Sequence, residues 1–426
     1  MVFSNRNKEL FGIFFVFIIL STGFIQLSLN KGQFIDIFSL GLPIILGLFF
    51  LVTHLAVRYQ SKAADSSLLP IAFLLTGFSV LFISRLDPDF ASKQLLWISF
   101  GLALLILTIR FAADYERLAE YKYIFGALGI ILLLIPIFLG KEIGGAKLWL
   151  QFGGYSFQPA EIAKIFIVIF LAAYLSEKKD LLSSGTRRVG KLELPDTRHF
   201  APLIVIWLIS LLILIFEKDL GSSLLFFGVF LLIVYISTAN FIFTFAGLVL
   251  FVFGASVSYY FFPHVQTRIS IWINTLPDNV SGDSYQLAQS LFALSAGGVS
   301  GTGIGNGLLG THIHMPAVLT DFIFSSVGEE LGLAGTVAIV LIYFYLLFRG
   351  LKIGISQENE FGRLLSIGLI LFLTIQAFII IAGVVKFIPL TGVTLPLISY
   401  GGSSIVANFI LIGLLLSISN KASTNG

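Results

Sequence analysis

Asp321 is the side chain whose place in the sequence points first to chemistry. It ends a long polar segment and directly precedes an apolar run, so we expect it at a water–membrane boundary. A carboxylate there can act as a general base, or it can cap the helix that follows. Glu329 and Glu330 lie inside the apolar run, roughly 12–13 Å farther along a helix. They are too distant for the same reacting group, so we predict structural roles for them, satisfied by hydroxyls or a buried basic partner.

Other polar side chains stand near the ends of apolar runs. Glu161 and Lys164 are three residues apart and share one helix face, where they form either an ion pair or contacts to a substrate. Asp219 follows a very tight turn, and we expect it to cap the next helix. His312 and His314 have no further metal-ligand type close to them in the sequence, so we predict no metal site there.

The composition indicates that these residues belong to a protein embedded in a membrane. Of the 426 residues, 57% are hydrophobic and only 12% are charged, and the mean hydropathy is +0.98. A soluble domain has a much lower apolar share. Backbone groups in lipid must be satisfied internally, which predicts an all-α, polytopic integral membrane protein. The chain has no cysteine, which excludes disulfides and thiolate metal sites.

Twelve apolar runs are long enough to cross a bilayer. The first is expected to be retained, because no small-residue cleavage site follows it. Lys and Arg are concentrated in the connections on the membrane side that holds the N-terminus, which predicts that both termini are cytoplasmic and that Asp321 faces outward. The predicted spans lie near 10–29, 37–57, 68–85, 93–110, 122–140, 157–176, 200–216, 220–237, 241–262, 321–348, 364–386 and 395–419.

Two long connections remain, an outer loop at 262–320 and a basic inner loop at 177–198. Within the outer loop, Gln286, Gln289 and Ala293 recur at helical spacing and predict a short helix. The glycine-rich stretch 297–307 cannot form a stable helix. Its backbone amides either approach a ligand closely or belong to a flexible linker.

Several stretches together resemble the SEDS family of cell-wall polymerases, which comprises RodA, FtsW and SpoVE. The resemblance runs in order from about 68 to 420, so the helices of residues 1–67 are additional, residues 421–426 form a cytoplasmic tail, and the whole is similar to RodA-like members of actinobacterial type. Leu148, Ala317, Leu319, Ile380 and Lys386 depart from residues common in the family. The matching stretches are 145–149 (GAKLW), 157–164 (FQPAEIAK), 219–222 (DLGS), 285–290 (YQLAQS), 320–332 (TDFIFSSVGEELG) and 389–404 (PLTGVTLPLISYGGSS).

The resemblance implies a SEDS-type helical bundle that polymerises lipid II into glycan strands at the plasma membrane during cell elongation. Transfer would invert the anomeric centre, with Asp321 as general base. Lys147, Lys164 and Arg268 would form a cationic wall for the diphosphate. The further substrate contacts that it implies are Glu161, Gln286, Gln289 and Ser399.

The resemblance also implies a class B penicillin-binding protein as partner, no nucleic acid and no organic cofactor, and it leaves a divalent cation (Mg or Mn) open. Three other functions are weighed against this one. A lipid II flippase needs a polar path open to both faces in turn, whereas the distinctive polar residues here cluster on one side. The others are a division polymerase of FtsW type and a non-catalytic scaffold for a transpeptidase.

Overall fold

Long apolar runs decide the architecture, because a backbone in hydrocarbon must satisfy its hydrogen bonds within its own helix. The computed structural model of the chain describes residues 5–30, 37–143, 146–184, 186–189, 192–195, 201–274 and 284–425. A 3-10 turn, Tyr115–Tyr121, precedes the fifth helix. The α-helices in these ranges are α1 Asn5–Asn30, α2 Ile37–Gln60, α3 Leu68–Leu86, α4 Pro88–Phe111, α5 Lys122–Leu139, α6 Ala160–Ser184, α7 Ala201–Phe216, α8 Leu220–Thr238, α9 Phe241–Phe261, α10 Pro263–Ile273, α11 Tyr285–Gly297, α12 Ile323–Ile355, α13 Glu360–Val384 and α14 Gly402–Asn425.

Within the described ranges, ten helices are long and apolar enough to cross a membrane. They correspond to ten of the twelve predicted spans. The other two predicted spans correspond to α6, which carries Glu161 and Lys164 near its beginning, and to α7, which has only 16 residues. The polytopic, mainly helical fold is therefore confirmed, while the count of twelve stays a prediction.

Short strands accompany the helices of this all-α fold. A three-stranded antiparallel sheet is formed by β1 Lys141–Ile143, β2 Ala146–Phe152 and β3 Tyr155–Phe157. Gly153 and Gly154 turn the chain between β2 and β3, both with positive φ, as a tight hairpin requires. A second hairpin, β4 Thr186–Val189 with β5 Leu192–Pro195, lies within the predicted inner loop. These runs are too short to show a period in a highly apolar sequence.

The first of two compact units comprises residues 1–113, 268–349 and 376–426. Its helices approach closely where one of them carries glycine, as small residues allow. A Cβ on Gly101 of α4 would lie 2.7 Å from the Phe409 ring of α14, and one on Gly77 of α3 would clash with Leu20 of α1. Phe50 of α2 also stacks on a ring of α3. The two N-terminal helices thus pack directly onto the rest of this unit.

The second unit comprises residues 114–267 and 350–375. Here α5 packs on α6 through Gly129, where a Cβ would lie 2.8 Å from the side chain of Ile167. Gly368 of α13 faces Val168 of α6 and Ile233 of α8 in the same way. The buried face of α6 places the two charged residues near its beginning, Glu161 and Lys164, inside protein rather than lipid.

Candidate functional site

Asp321 lies in a turn two residues before α12 begins. Its N–H donates to the carbonyl of Ala317 at 3.0 Å. The segment before α14 secures the same turn, because Tyr400 N–H donates to the Leu319 carbonyl at 2.8 Å and the Ser399 hydroxyl donates to the Thr320 carbonyl at 2.5 Å. Hydrogen bonds within the turn and from the segment before α14 therefore fix the backbone that carries the carboxylate.

The interpretation of Asp321 as a helix cap finds no support. In the part of the chain described, no backbone N–H donates to its carboxylate, and the Thr320 hydroxyl, which donates to the Ala317 carbonyl at 3.3 Å, lies close to it. Partial burial raises the pKa of Asp321 to about 6, although the Thr320 hydroxyl and the charge of Arg268 act in the opposite direction. A carboxyl group with a pKa close to the working pH is suited to accept a proton in a transition state.

Arg268 is the cation beside Asp321, and α10 carries it. Its Nη1 donates to the Leu390 carbonyl at 2.6 Å. One turn later, Trp272 Nε1 donates to the Lys386 carbonyl at 3.1 Å, so two side chains of α10 hold the segment 386–390. Sequence reasoning placed Arg268 in a wall with two lysines, whereas the structure places its guanidinium near the carboxylate.

Gly392 borders both charged groups. A Cβ built on Gly392 would lie 3.4 Å from Arg268 Nη2 and 3.6 Å from Asp321 Oδ2. The arrangement of a carboxylate, a guanidinium and a small free space can accept a proton from a bound hydroxyl and stabilise negative charge beside it. Sequence reasoning missed Gly392; the only local signal was its place in the matched stretch 389–404.

Ser399, predicted to contact substrate, is buried, with only 2% of its surface exposed. Its hydroxyl accepts from Leu395 N–H at 2.9 Å while it donates to the turn that carries Asp321. The structure therefore gives Ser399 a positioning role. Gln286 and Gln289 are half-buried on α11, the helix predicted from their spacing. That helix is tied to the start of α12 by a 2.6 Å hydrogen bond between the hydroxyls of Ser290 and Ser325.

The glycine-rich stretch 297–307 and the two residues that follow it donate hydrogen bonds to carboxylates of the same chain. Glu329 accepts hydrogen bonds from the N–H groups of Leu308 and Leu309, at 2.8 and 3.0 Å. Glu330 accepts one from Gly305 at 2.8 Å and forms an ion pair with Arg85. Both glutamates are buried. The predicted buried basic partner is confirmed for Glu330, and the amides of Gly305, Leu308 and Leu309 donate to carboxylates of the chain itself.

Two positions require glycine where the glycine-rich stretch meets α12: Gly301 in the stretch and Gly332 in the helix. The helix breaks at Gly332, where φ is 65° and ψ is −164°. A Cβ on Gly332 would lie 2.3 Å from the backbone nitrogen of Gly301, and one on Gly301 would lie 2.1 Å from the Glu330 carbonyl oxygen. The loop and the broken helix thus meet backbone to backbone.

The remaining predicted site residues belong to the second unit. Lys164 and Glu161 form a buried ion pair, so the interpretation as an ion pair is confirmed. Lys147 is exposed on β2. Asp219 caps α8 as predicted, accepting from Ser222 N–H at 2.9 Å. Gln158 also donates to its carboxylate, at 3.4 Å.

Glu217 is a buried acid that sequence reasoning overlooked. It lies in the turn between α7 and α8 with 5% of its surface exposed, and its Oε1 has no hydrogen-bond partner among the residues that the structure describes. Burial, together with the nearby charge of Asp219, raises the pKa of Glu217 to about 8. The carboxyl group is therefore mostly neutral at pH 7, a state that the sequence alone gives no sign of.

Some predicted features lie outside the described residues: Gly145 of the first matched stretch, 275–283 of the outer loop, and Lys191 and Arg198 of the inner loop. Over the described ranges, no group of three or more His, Cys, Asp or Glu side chains could hold a metal ion. Asp321 has a guanidinium as its charged neighbour. These residues do not fit a protein-held divalent cation, and we derive no step through one.

The fold and the site define a class of protein. It is a helical membrane protein with several spans and with a half-buried carboxylate, Asp321, just before a helix. The chain matches the family of FtsW, RodA and SpoVE, described as "Cell cycle protein", over residues 66–424. It belongs to this family.

Curated relatives cover most of the chain. It is 40% identical to "Peptidoglycan glycosyltransferase RodA" of Mycobacterium tuberculosis strain H37Rv over 435 residues, covering 98% of this chain and 91% of the relative. It is 31% identical to "Stage V sporulation protein E" of Bacillus subtilis over 342 residues, 78% of this chain and 87% of the relative.

Solved structures share the fold. One chain of a solved structure described as "Structural coordination of polymerization and crosslinking by a peptidoglycan synthase complex" matches with a TM-score of 0.67 and 24% identity. The match covers 84% of this chain and 98% of that one. The rod shape determining protein RodA of Thermus thermophilus has a TM-score of 0.58 at 24% identity, covering 84% and 97%.

Proposed function

We propose that this protein is a peptidoglycan glycosyltransferase that polymerises lipid II into glycan strands during cell elongation. The relatives of 40% identity carry the name peptidoglycan glycosyltransferase RodA. The observation that supports the chemistry best is the pair formed by Asp321 and Arg268 around Gly392. This arrangement places a base, Asp321, and a cation, Arg268, beside the same small space at Gly392.

The reaction transfers a glycosyl group from a diphosphate lipid to a sugar hydroxyl. Asp321 accepts the hydroxyl proton as the acceptor oxygen forms its bond to the anomeric carbon. The bond from that carbon to the diphosphate oxygen breaks, and the diphosphate leaves with the bonding electrons. The anomeric centre inverts because attack and departure occur on opposite faces. Arg268 stabilises the negative charge that develops near the carboxylate.

The diphosphate needs cations of its own, and Lys147 is our candidate. Its ammonium group is exposed on β2, whereas Lys164 is buried in a pair with Glu161. Among the two lysines predicted to bind the donor, Lys147 therefore meets a phosphate at the lower desolvation cost. Gln286 and Gln289, half-buried on α11, are proposed to contact the sugars.

The site is proposed to face outward from the plasma membrane, as the distribution of Lys and Arg predicts. A class B penicillin-binding protein is the proposed partner, because polymerised strands must be crosslinked. The structure with a TM-score of 0.67 is described as a synthase complex that coordinates the two steps.

Strand synthesis from purified lipid II tests the proposal. Wild type and Asp321→Asn are compared in detergent with the partner and a divalent cation present. We expect polymer from the wild type only. Asp89→Asn, which changes an exposed carboxylate in the first turn of α4, serves as the matched control and should retain synthesis. Polymer from Asp321→Asn would remove Asp321 from the role of base.

The alternatives predict other results in the same experiment. A scaffold would give no polymer with any variant while still binding and activating the transpeptidase. A flippase would give no polymer but would move labelled lipid II across the bilayer of proteoliposomes. A division polymerase would give polymer but would respond to a different transpeptidase partner.

A further inference from the structure

Gly392 has two separate reasons to be glycine. Its φ is +76°, in the left-handed region that side chains disfavour. A Cβ there would also enter the space that Arg268 Nη2 and Asp321 Oδ2 border, at 3.4 and 3.6 Å. Both distances are ordinary van der Waals contacts, so a methyl group would fill this space without displacing either side chain.

The space is held by the fold and does not depend on one mobile side chain. Arg268 is fixed by its hydrogen bond to the Leu390 carbonyl, two residues before Gly392. Trp272 fixes the beginning of the same segment through the Lys386 carbonyl. On the other side, the turn of Asp321 is secured by the segment that precedes α14. Hydrogen bonds within the chain thus hold the segments that border the space.

We propose that Gly392 is a specificity-determining residue that keeps this space open for the acceptor hydroxyl. The inference rests on the proposed function, in which Asp321 takes the proton of that hydroxyl. A hydroxyl group is about as large as a methyl group, so a side chain at position 392 competes with it for one place. The absent Cβ lets the hydroxyl reach the carboxylate while the guanidinium lies beside it.

Gly392→Ala tests the proposal, with Gly154→Ala as the matched control. Gly154 has a similar φ of +86°, and a Cβ there meets nothing within 4 Å. Both changes impose the same kind of backbone strain, but only Gly392→Ala fills a space. We expect similar decreases in melting temperature for the two variants. In strand synthesis, Gly392→Ala should lose about 10- to 200-fold in kcat/KM, the range for one methylene in a site, and Gly154→Ala should keep its kcat/KM.

A binding measurement separates the acceptor from the donor. Labelled lipid II whose attacking sugar hydroxyl is replaced by hydrogen, so that it can act only as donor, is titrated against Asp321→Asn with and without the additional Gly392→Ala. We expect an unchanged donor affinity, because the donor diphosphate does not enter the space beside position 392. A matching loss of donor affinity would overturn the proposal, since Gly392 would then serve binding in general.

The remaining outcomes are distinguishable. Normal kcat/KM in Gly392→Ala with an inactive Asp321→Asn would overturn this inference and leave the proposed function standing. Activity in both would reject Asp321 as base. If Gly392→Ala loses far more stability than the control, Gly392→Asn replaces it, because Asn tolerates positive φ. Full activity of a folded Gly392→Asn would also overturn the inference.

Discussion

Arg85 and Glu330 form a buried ion pair, with Nε and Oε1 2.5 Å apart and both side chains almost fully enclosed. Arg85 belongs to α3 and Glu330 to α12, which are far apart in the sequence. Arg85 also donates to the Leu309 carbonyl at 2.7 Å. The pair therefore joins α3, the glycine-rich loop and the helix that follows Asp321, and it holds together the scaffold of the proposed base.

Glu330→Gln should destabilise the protein strongly, because it leaves the Arg85 charge buried without its partner. Loss of one partner of a buried pair costs about 3–5 kcal/mol, which we expect as a clearly lower melting temperature in detergent. Arg117→Gln is the control, since it breaks an exposed pair with Asp114 that is worth about 0–1 kcal/mol. Equal melting temperatures for the two variants would show that the buried pair does not secure the loop.

Strand synthesis should depend on the charge of Asp321. With a pKa of about 6, the carboxylate is mostly protonated below pH 5.5 or so, and activity should rise with pH through about 6. Initial rates in a buffer series from about pH 5 to 8 measure this. A rate that is flat across the range would mean that the titration of Asp321 does not control the chemical step.

The same carboxyl group should cost the protein stability. Its folded pKa lies above the usual 3.8, so the unfolded chain releases the proton first and stability falls as pH rises from about 4 to 6. Asp321→Asn should remove this fall and, at pH 7, raise stability by something on the order of 3 kcal/mol. Melting curves at several pH values test it; an Asn variant that melts below the wild type at pH 7 would contradict the expectation.

Glu217 should show a second pH dependence in another range. Its pKa of about 8 lies above the usual 4.5, so the stability of the wild type should fall between about pH 4.5 and 8. Glu217→Gln keeps the size and shape of the neutral acid and cannot ionise. We expect it to melt as the wild type does at low pH and above the wild type at pH 8. Parallel curves at all pH values would place the titration elsewhere.

Lys147→Ala should weaken the use of the donor without loss of stability, since Lys147 is exposed on β2. We expect a higher KM for lipid II with an unchanged melting temperature. Lys141→Ala changes an equally exposed lysine on the neighbouring strand β1 and should leave KM as it is. If both variants behave alike, the general charge of the hairpin, and not Lys147, attracts the donor.

The sequence by itself determined the helices and the class of protein, because apolar runs of span length leave the backbone no alternative to the helix. Spacing predicted α11, a tight turn predicted the cap at Asp219, and the cost of buried charge predicted a basic partner for Glu330. Each of these conclusions rests on local pattern or on a penalty that any fold must satisfy. The short three-stranded sheet and the separate hairpin were not predicted, because strands of three to seven residues show no clear period in so apolar a chain.

Only the tertiary structure decided which groups surround Asp321. Three cations were candidates, and the fold placed Arg268 beside the carboxylate while it paired Lys164 with Glu161. It also brought Gly392 against both charges, and it placed the amides of Gly305 and Leu308 against Glu330 and Glu329. The physical reason is distance along the chain: Arg268 and its partner Leu390 are 122 residues apart, and no local periodicity records a contact that packing alone creates.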